Sequence, residues 1–196
     1  MARAVVTGAP HAGKTTLLTA LQLRGFRVLP EAALTVIESL VHEHGAEGAR
    51  QWRASHAAEF QRIVTLRQIE LEQQAEDDDD GGSLVLCDRG WPDGVAYAAM
   101  DGLPPDAVFE AGRALPPYVA VFVLAIIEPF DARAESGRVS GEARARETHQ
   151  ALLRAYISQG YDPVDVPSAS LEHRVHLVMR HLDAWTGGGA ANGGPR

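Results

Sequence analysis

The sequence predicts an α/β fold in which a parallel sheet is covered by helices on both faces. Short apolar or β-branched runs alternate along the chain with longer stretches in which apolar residues have helical spacing. Alternation of this kind builds a parallel sheet through right-handed crossover connections. Two of the runs, 83–87 and 118–127, are almost continuously apolar, which is typical of strands buried on both faces. A third observation is that the first run ends in a glycine-containing segment that opens a helix.

The predicted elements follow one another in a regular order. Strands of a five-stranded sheet are expected at 3–7, 26–29, 83–87, 118–127 and 163–166. Helices are expected at 13–24, 31–44, 49–75, 106–115, 140–158 and 170–185, with a break allowed inside the third. The acidic run at 76–82 is expected to be a solvated loop, because contiguous aspartates lack the spacing of a calcium loop. These elements predict one domain over 1–186 and a disordered tail at 187–196.

Composition excludes several classes of function. The length of 196 residues suits one α/β domain, and a formal net charge of -8 argues against a nucleic-acid-binding surface. No apolar run reaches membrane-spanning length, and the first strand-like run begins at Arg3, which leaves no room for a signal peptide. The single cysteine, Cys87, excludes an internal disulfide. We therefore expect a cytoplasmic protein without nucleic-acid or membrane partners.

The glycine-containing segment has the pattern of a phosphate-binding loop, the P-loop or Walker A motif. It reads G-A-P-H-A-G-K-T, which fits G-x-x-x-x-G-K-[ST] between a strand and a helix. Lys14 is the only lysine of the chain and is expected to reach the β- and γ-phosphates of ATP, or of GTP as the alternative. The Thr15 hydroxyl is expected to bind Mg²⁺. The residues expected to contact the nucleotide are Gly8, Ala9, Pro10, His11, Ala12, Gly13, Lys14, Thr15 and Thr16.

An acid and an arginine follow the third predicted strand. We expect Asp88 to hold Mg²⁺ through water, although an aspartate in this position also serves simply as a turn former. Arg89 should then point into the same cleft, where it could steady a transferred phosphoryl group or an acidic partner.

The P-loop, the acid-arginine pair and further segments given below together resemble a family of P-loop ATPases. This family is broadly described as AAA-type ATP-binding proteins and contains the ribosylnicotinamide kinase domain of the bacterial NAD regulator. The group is similar to the deoxynucleoside kinases. The resemblance runs from Val5 to about Leu182. It rests on V-T-G-A-P-H-A-G-K-T-T (6–16), V-L-P-E-A-A (28–33), E-F-Q (59–61), C-D-R-G-W-P-D (87–93) and G-Y-D-P-V-D-V-P (160–167). It implies a P-loop NTPase fold with strand order 2-3-1-4-5, in which the strand ending in Asp88 lies beside the P-loop strand.

The resemblance also implies roles for individual residues. Glu31 matches the acid that acts as base toward the substrate hydroxyl, and the Asp88-Arg89 pair matches the residues that serve magnesium and the reacting groups. Phe60 and Gln61 match a pair that reads the base of the nucleoside. Two alternatives remain open: Glu31 could only favour the start of its helix, and Gln61 could be a surface polar residue. The W-P-D-G that follows D-R-G departs from those kinases, so the nucleoside itself is undetermined.

The segment 128–146 occupies the place of a mobile lid in P-loop kinases. Arg133 and Arg138 are expected to close over the γ-phosphate, whereas Arg144 and Arg146 also fit the outer face of a solvated helix.

The predicted function is a kinase that transfers the γ-phosphate of ATP to a hydroxyl of a nucleoside-like or other small metabolite. The alternative is a regulatory ATPase or GTPase without such an acceptor. Whether the protein forms a homodimer is left open.

Overall fold

The computed structural model describes residues 1–78, 84–104, 106–127 and 141–188. In this part of the chain, a five-stranded parallel sheet has the order β2-β3-β1-β4-β5, which confirms the predicted fold class and strand order. The strands are β1 (Ala2–Gly8), β2 (Arg27–Leu29), β3 (Leu84–Asp88), β4 (Ala120–Leu124) and β5 (Val164–Val166). The ends of β1 and β3 are in register, with Val6 opposite Asp88. Asp88 therefore reaches the sheet edge from which the P-loop leaves.

The helices agree with the predicted order, with one helix added. They are α1 (Lys14–Gln22), α2 (Ala32–Ser55), α3 (Ala57–Asp77), α4 (Trp91–Met100), α5 (Val108–Arg113), α6 (Glu142–Ser158) and α7 (Leu171–Gly188). Gly45 is non-helical, with φ 71° and ψ 168°, and it kinks α2 between the expected helices 31–44 and 49–75. The break allowed inside the second of these falls at His56. Helix α4 was not predicted. It is buried on several sides and rich in small residues, so it has no amphipathic stripe that a periodicity argument could detect.

Each face of the sheet has its own hydrophobic core. Along β1, for example, alternate residues point to opposite faces, as strand geometry requires. Val5 packs into the core shared with α3, α4 and α6, whereas Ala4 and Val6 pack into the core shared with α1 and α7. Helices therefore cover both faces, as predicted, and leave the carboxyl edge of the sheet accessible to loops.

Several predictions fall partly or wholly outside the described residues. Arg133 and Arg138 lie there, as do positions 128–140 of the expected lid and positions 189–196 of the expected tail. Helix α7 ends at Gly188, so it includes the first two residues of the expected tail, 187 and 188. Within the described residues, no helix is both long and apolar enough to span a membrane.

Candidate functional site

The loop between β1 and α1 has the backbone geometry that its motif predicts. Gly13 caps α1 with φ 77° and ψ 22°, and a Cβ at this position would lie 2.8 Å from Ile127 Cδ1. The left-handed conformation favours glycine here. His11 also has a positive φ of 66°. The loop thus curls before the helix starts, an arrangement that suits backbone N–H groups to anion binding.

Lys14 joins three of the predicted site residues into one cluster. Its Nζ lies 2.9 Å from Glu31 Oε2 and also contacts Asp88 Oδ1. The three side chains come from the start of α1, the residue before α2 and the end of β3. All three are largely buried, with exposed fractions of 8%, 7% and 14%. Thr15 and Thr16, by contrast, are exposed beside them.

Arg89 extends this cluster away from the P-loop. Its Nε lies 3.2 Å from Glu31 Oε1, and its Nη1 donates to Asp93 Oδ2 at 2.7 Å. The residue has a φ of 75°, which is unusual for a non-glycine residue. Its backbone is held on both sides, because its N–H donates to the Val6 carbonyl and its carbonyl accepts from Gln68 Nε2. The arginine is therefore fixed between two carboxylates.

Asp93 is a site residue that the sequence analysis did not single out. Its carboxylate accepts hydrogen bonds from the Thr7 and Tyr156 hydroxyls, each at 2.7 Å, besides pairing with Arg89. Only 4% of the residue is exposed. The W-P-D sequence could have indicated that Asp93 lies in the first turn of a helix, because proline followed by an acid is typical of that position.

Burial and neighbouring charges shift the pKa values of Asp88 and Arg89. Burial raises the pKa of the Asp88 carboxyl, and the ammonium of Lys14 opposes that shift. Burial by itself would lower the pKa of Arg89, but Tyr97, Glu31 and Asp93 together raise it. Arg89 therefore keeps its positive charge inside the protein, where it balances part of the carboxylate charge.

A cavity of about 200 Å³ borders the cluster. Glu31, Phe60, Gln61 and Arg89, which the resemblance assigned to the acceptor, all lie in its wall. The remaining wall is mainly apolar or aromatic, and includes Ile37, Val64, Trp91 and Tyr97. Arg53 also lines the cavity, and its guanidinium carbon lies 5.7 Å from the centre of the Phe60 ring.

The two arginines at the start of α6 lie on an exposed helix face. Arg144 pairs with Glu147 and Asp101, and Arg146 pairs with Glu142. This is the solvated-helix alternative that the sequence analysis left open for them.

The fold and the phosphate loop define a P-loop domain of kinase-like architecture. A family model described as an AAA domain matches residues 3–174, and the chain belongs to this family. This confirms the family predicted from the sequence. Comparison with curated protein sequences found no match.

Solved structures with the same fold include two kinases. Deoxyadenosine kinase from M. mycoides, with bound dATP, has a TM-score of 0.61 and 14% identity, and the match covers 93% of this chain and 100% of that one. The same enzyme with the products dCMP and a flexible dCDP has a TM-score of 0.61 and 12% identity, covering 94% and 100%. Thymidylate kinase from Candida albicans has a TM-score of 0.63 and 14% identity, covering 94% and 92%. At these identities the likeness establishes the fold.

Proposed function

We propose that the protein is an ATP-dependent kinase that phosphorylates a hydroxyl of a small metabolite. The observation that carries this proposal is the position of Glu31. Its carboxylate contacts Lys14 of the P-loop and also lines the cavity. One side chain thus joins the loop expected to hold the γ-phosphate to a space that can hold an acceptor. A regulatory ATPase has no need of such a space.

Glu31 is suited to act as a general base toward the acceptor. A hydroxyl bound in the cavity beside Glu31 could give its proton to the carboxylate as its oxygen attacks the γ-phosphorus of ATP. The bond from that phosphorus to the β–γ bridging oxygen breaks, and ADP leaves with the electron pair. Lys14 would move from the carboxylates to the phosphates, while Arg89 would continue to hold Glu31 in place.

Thr15 and Asp88 fit the requirements of Mg²⁺, because they supply only oxygen donors. Magnesium commonly keeps several waters and takes one or two protein ligands together with phosphate oxygens. A bound Mg²⁺ would neutralise charge that develops on the phosphates. Among the described residues, no group of three or more His, Cys, Asp or Glu is arranged to hold a metal ion. This part of the chain therefore has no metal site made only of such side chains.

Beside Glu31, charge favours a hydroxyl over a phosphate group, whereas the Arg53 guanidinium adds a positive charge elsewhere in the cavity wall. When ionised, Glu31, Asp88 and Asp93 carry three negative charges against the two positive charges of Lys14 and Arg89. The cluster therefore has an excess of one negative charge before ATP binds. A phosphate group placed against Glu31 would be repelled, whereas a hydroxyl can donate a hydrogen bond to it.

The test is phosphoryl transfer from γ-labelled ATP in the presence of Mg²⁺ and a panel of acceptors. The panel should contain nucleosides, their monophosphates and other hydroxyl metabolites, with mass spectrometry of any product. We expect a labelled phosphate ester of an uncharged hydroxyl compound. If ATP is hydrolysed at a rate that no acceptor changes, or only monophosphates are labelled, the proposal is wrong.

A further inference from the structure

Arg174 is a buried cation on the opposite side of the P-loop from the acceptor cavity. It lies in the first turn of α7, and only 3% of it is exposed. Each of its three guanidinium nitrogens donates to a backbone carbonyl: Nη1 to Ala12 at 2.6 Å, Nη2 to Ala125 at 3.0 Å and Nε to Pro167 at 2.9 Å. These carbonyls belong to the loops that follow β1, β4 and β5. One side chain therefore fastens three loops at the carboxyl edge of the sheet.

The contact with Ala12 determines how the peptide between Ala12 and Gly13 is oriented. In a trans peptide the C=O and the following N–H point in opposite directions. With the Ala12 carbonyl bound to Arg174, the Gly13 N–H is turned away from Arg174. A Cβ at Gly13 would lie 3.5 Å from Arg174 Nη1, so the guanidinium packs directly against this part of the loop. Free rotation of the peptide would lose the hydrogen bond to a buried charge, which is costly.

The groups around the Arg174 charge differ from those around the other two buried cations near the loop. Lys14 and Arg89 each contact two carboxylates. Arg174 contacts carbonyl oxygens, and among the described residues no carboxylate lies within 4.0 Å of it. Burial accordingly lowers the pKa of Arg174. A partly buried charge is screened less by salt than an exposed one, so its attraction for an anion extends further.

We propose that Arg174 is a positioning residue for polyphosphate binding. It orients the Ala12–Gly13 peptide, links the P-loop to the loops after β4 and β5, and adds a positive charge that no carboxylate in the described part of the chain approaches within 4.0 Å. The proposal needs only that the P-loop binds polyphosphate. It does not depend on the identity of the acceptor, nor on whether the protein is a kinase.

The test compares Arg174→Gln and Arg174→Lys with the wild-type protein, using Arg180→Gln as the matched control. Arg180 is exposed and lies on the same helix. Titration calorimetry should measure the binding of Mg-ATP, AMP and inorganic tripolyphosphate, without any acceptor, at a temperature well below the lowest melting point. Melting curves should be recorded beside it.

We expect Arg174→Gln to bind ATP and tripolyphosphate about 10- to 100-fold more weakly, because it loses charge-assisted hydrogen bonds behind the loop. AMP binding should change less, so the preference for ATP over AMP should fall. Arg174→Lys keeps the charge but cannot reach all three carbonyls, so it should recover part of the loss. If both variants melt at lower temperature yet bind ATP and tripolyphosphate like the control, Arg174 is only structural and the proposal is overturned.

Hydrogen exchange of the wild-type protein provides a test that does not depend on the folding of any variant. Tripolyphosphate should slow exchange in peptides covering 8–16 and, through Arg174, in peptides covering 167–174. Protection confined to the P-loop peptide would show that the three loops are not linked and would contradict the proposal.

Discussion

Replacing Glu31 with glutamine tests the residue on which the proposed chemistry depends. The two side chains have almost the same shape, but glutamine carries no charge and is a poor base. Glu31 is 6% exposed, and its two oxygens face different cations, Lys14 at 2.9 Å and Arg89 at 3.2 Å. A glutamine amide can accept with only one of its two ends, so its NH₂ group must face one of these cations.

The structure indicates how large the effects should be. Removing one partner of a buried ion pair costs about 3–5 kcal/mol. Here the cost should fall near the lower end of that range, since Lys14 keeps Asp88 and Arg89 keeps Asp93. A fall in melting temperature is thus expected whether or not Glu31 is catalytic, and only the rate separates the two roles. Loss of general-base assistance should slow phosphoryl transfer by about 10²–10⁴-fold.

The assay is single-turnover transfer from ATP to the acceptor identified by the panel, at a temperature where the variant is folded. ATP affinity should change much less than the rate, because Lys14 still has Asp88 as a second carboxylate partner before ATP binds. Glu38→Gln is the matched control, since Glu38 is exposed on α2, the helix that Glu31 immediately precedes. A less stable Glu31→Gln protein that transfers phosphate at the wild-type rate would refute the assignment of Glu31 as the base.

Three further changes test the P-loop, the cavity wall and the buried pair of Glu72 on α3 with Arg3, whose Nη1 lies 2.7 Å from Glu72 Oε2. Lys14→Ala should abolish turnover and weaken ATP binding while the far-ultraviolet circular dichroism spectrum is retained, and unchanged turnover would refute the phosphate role. Gly112→Ala should cost about 1–3 kcal/mol in urea unfolding and raise the KM for the acceptor more than that for ATP. The Cβ of an alanine at position 112 would collide with the ring of Trp91, which forms part of the cavity wall. Equal changes in the two KM values would contradict this expectation. Burial raises the pKa of Glu72 above its ordinary value of 4.5, so folding favours the protonated carboxyl. The stability of the wild type relative to Glu72→Gln should therefore be greatest below pH about 4.5 and should decline as the pH rises through the folded-state pKa; a difference that grows with pH would contradict this.

Some features of the fold were predictable because their signals are local. The P-loop is one continuous segment, and the alternation of strands and helices is visible over short windows. Helix α4 escaped prediction for a physical reason: a helix surrounded by α3, α5 and α6 has no solvent-facing stripe to reveal its period. The resemblance to deoxynucleoside kinases supplied the strand order, which the pattern of apolar residues by itself does not determine.

The sequence by itself determined the phosphate loop, the parallel sheet and the acid at the end of β3, since each depends on neighbouring residues in the chain. Only the tertiary structure decided what those residues contact. It placed Asp93 among Thr7, Arg89 and Tyr156, and it placed Arg174 against the carbonyl of Ala12, 162 residues away. Such contacts depend on how helices pack across the sheet. Because a buried polar group must find a partner wherever packing brings one, its position in the sequence does not reveal which partner it takes.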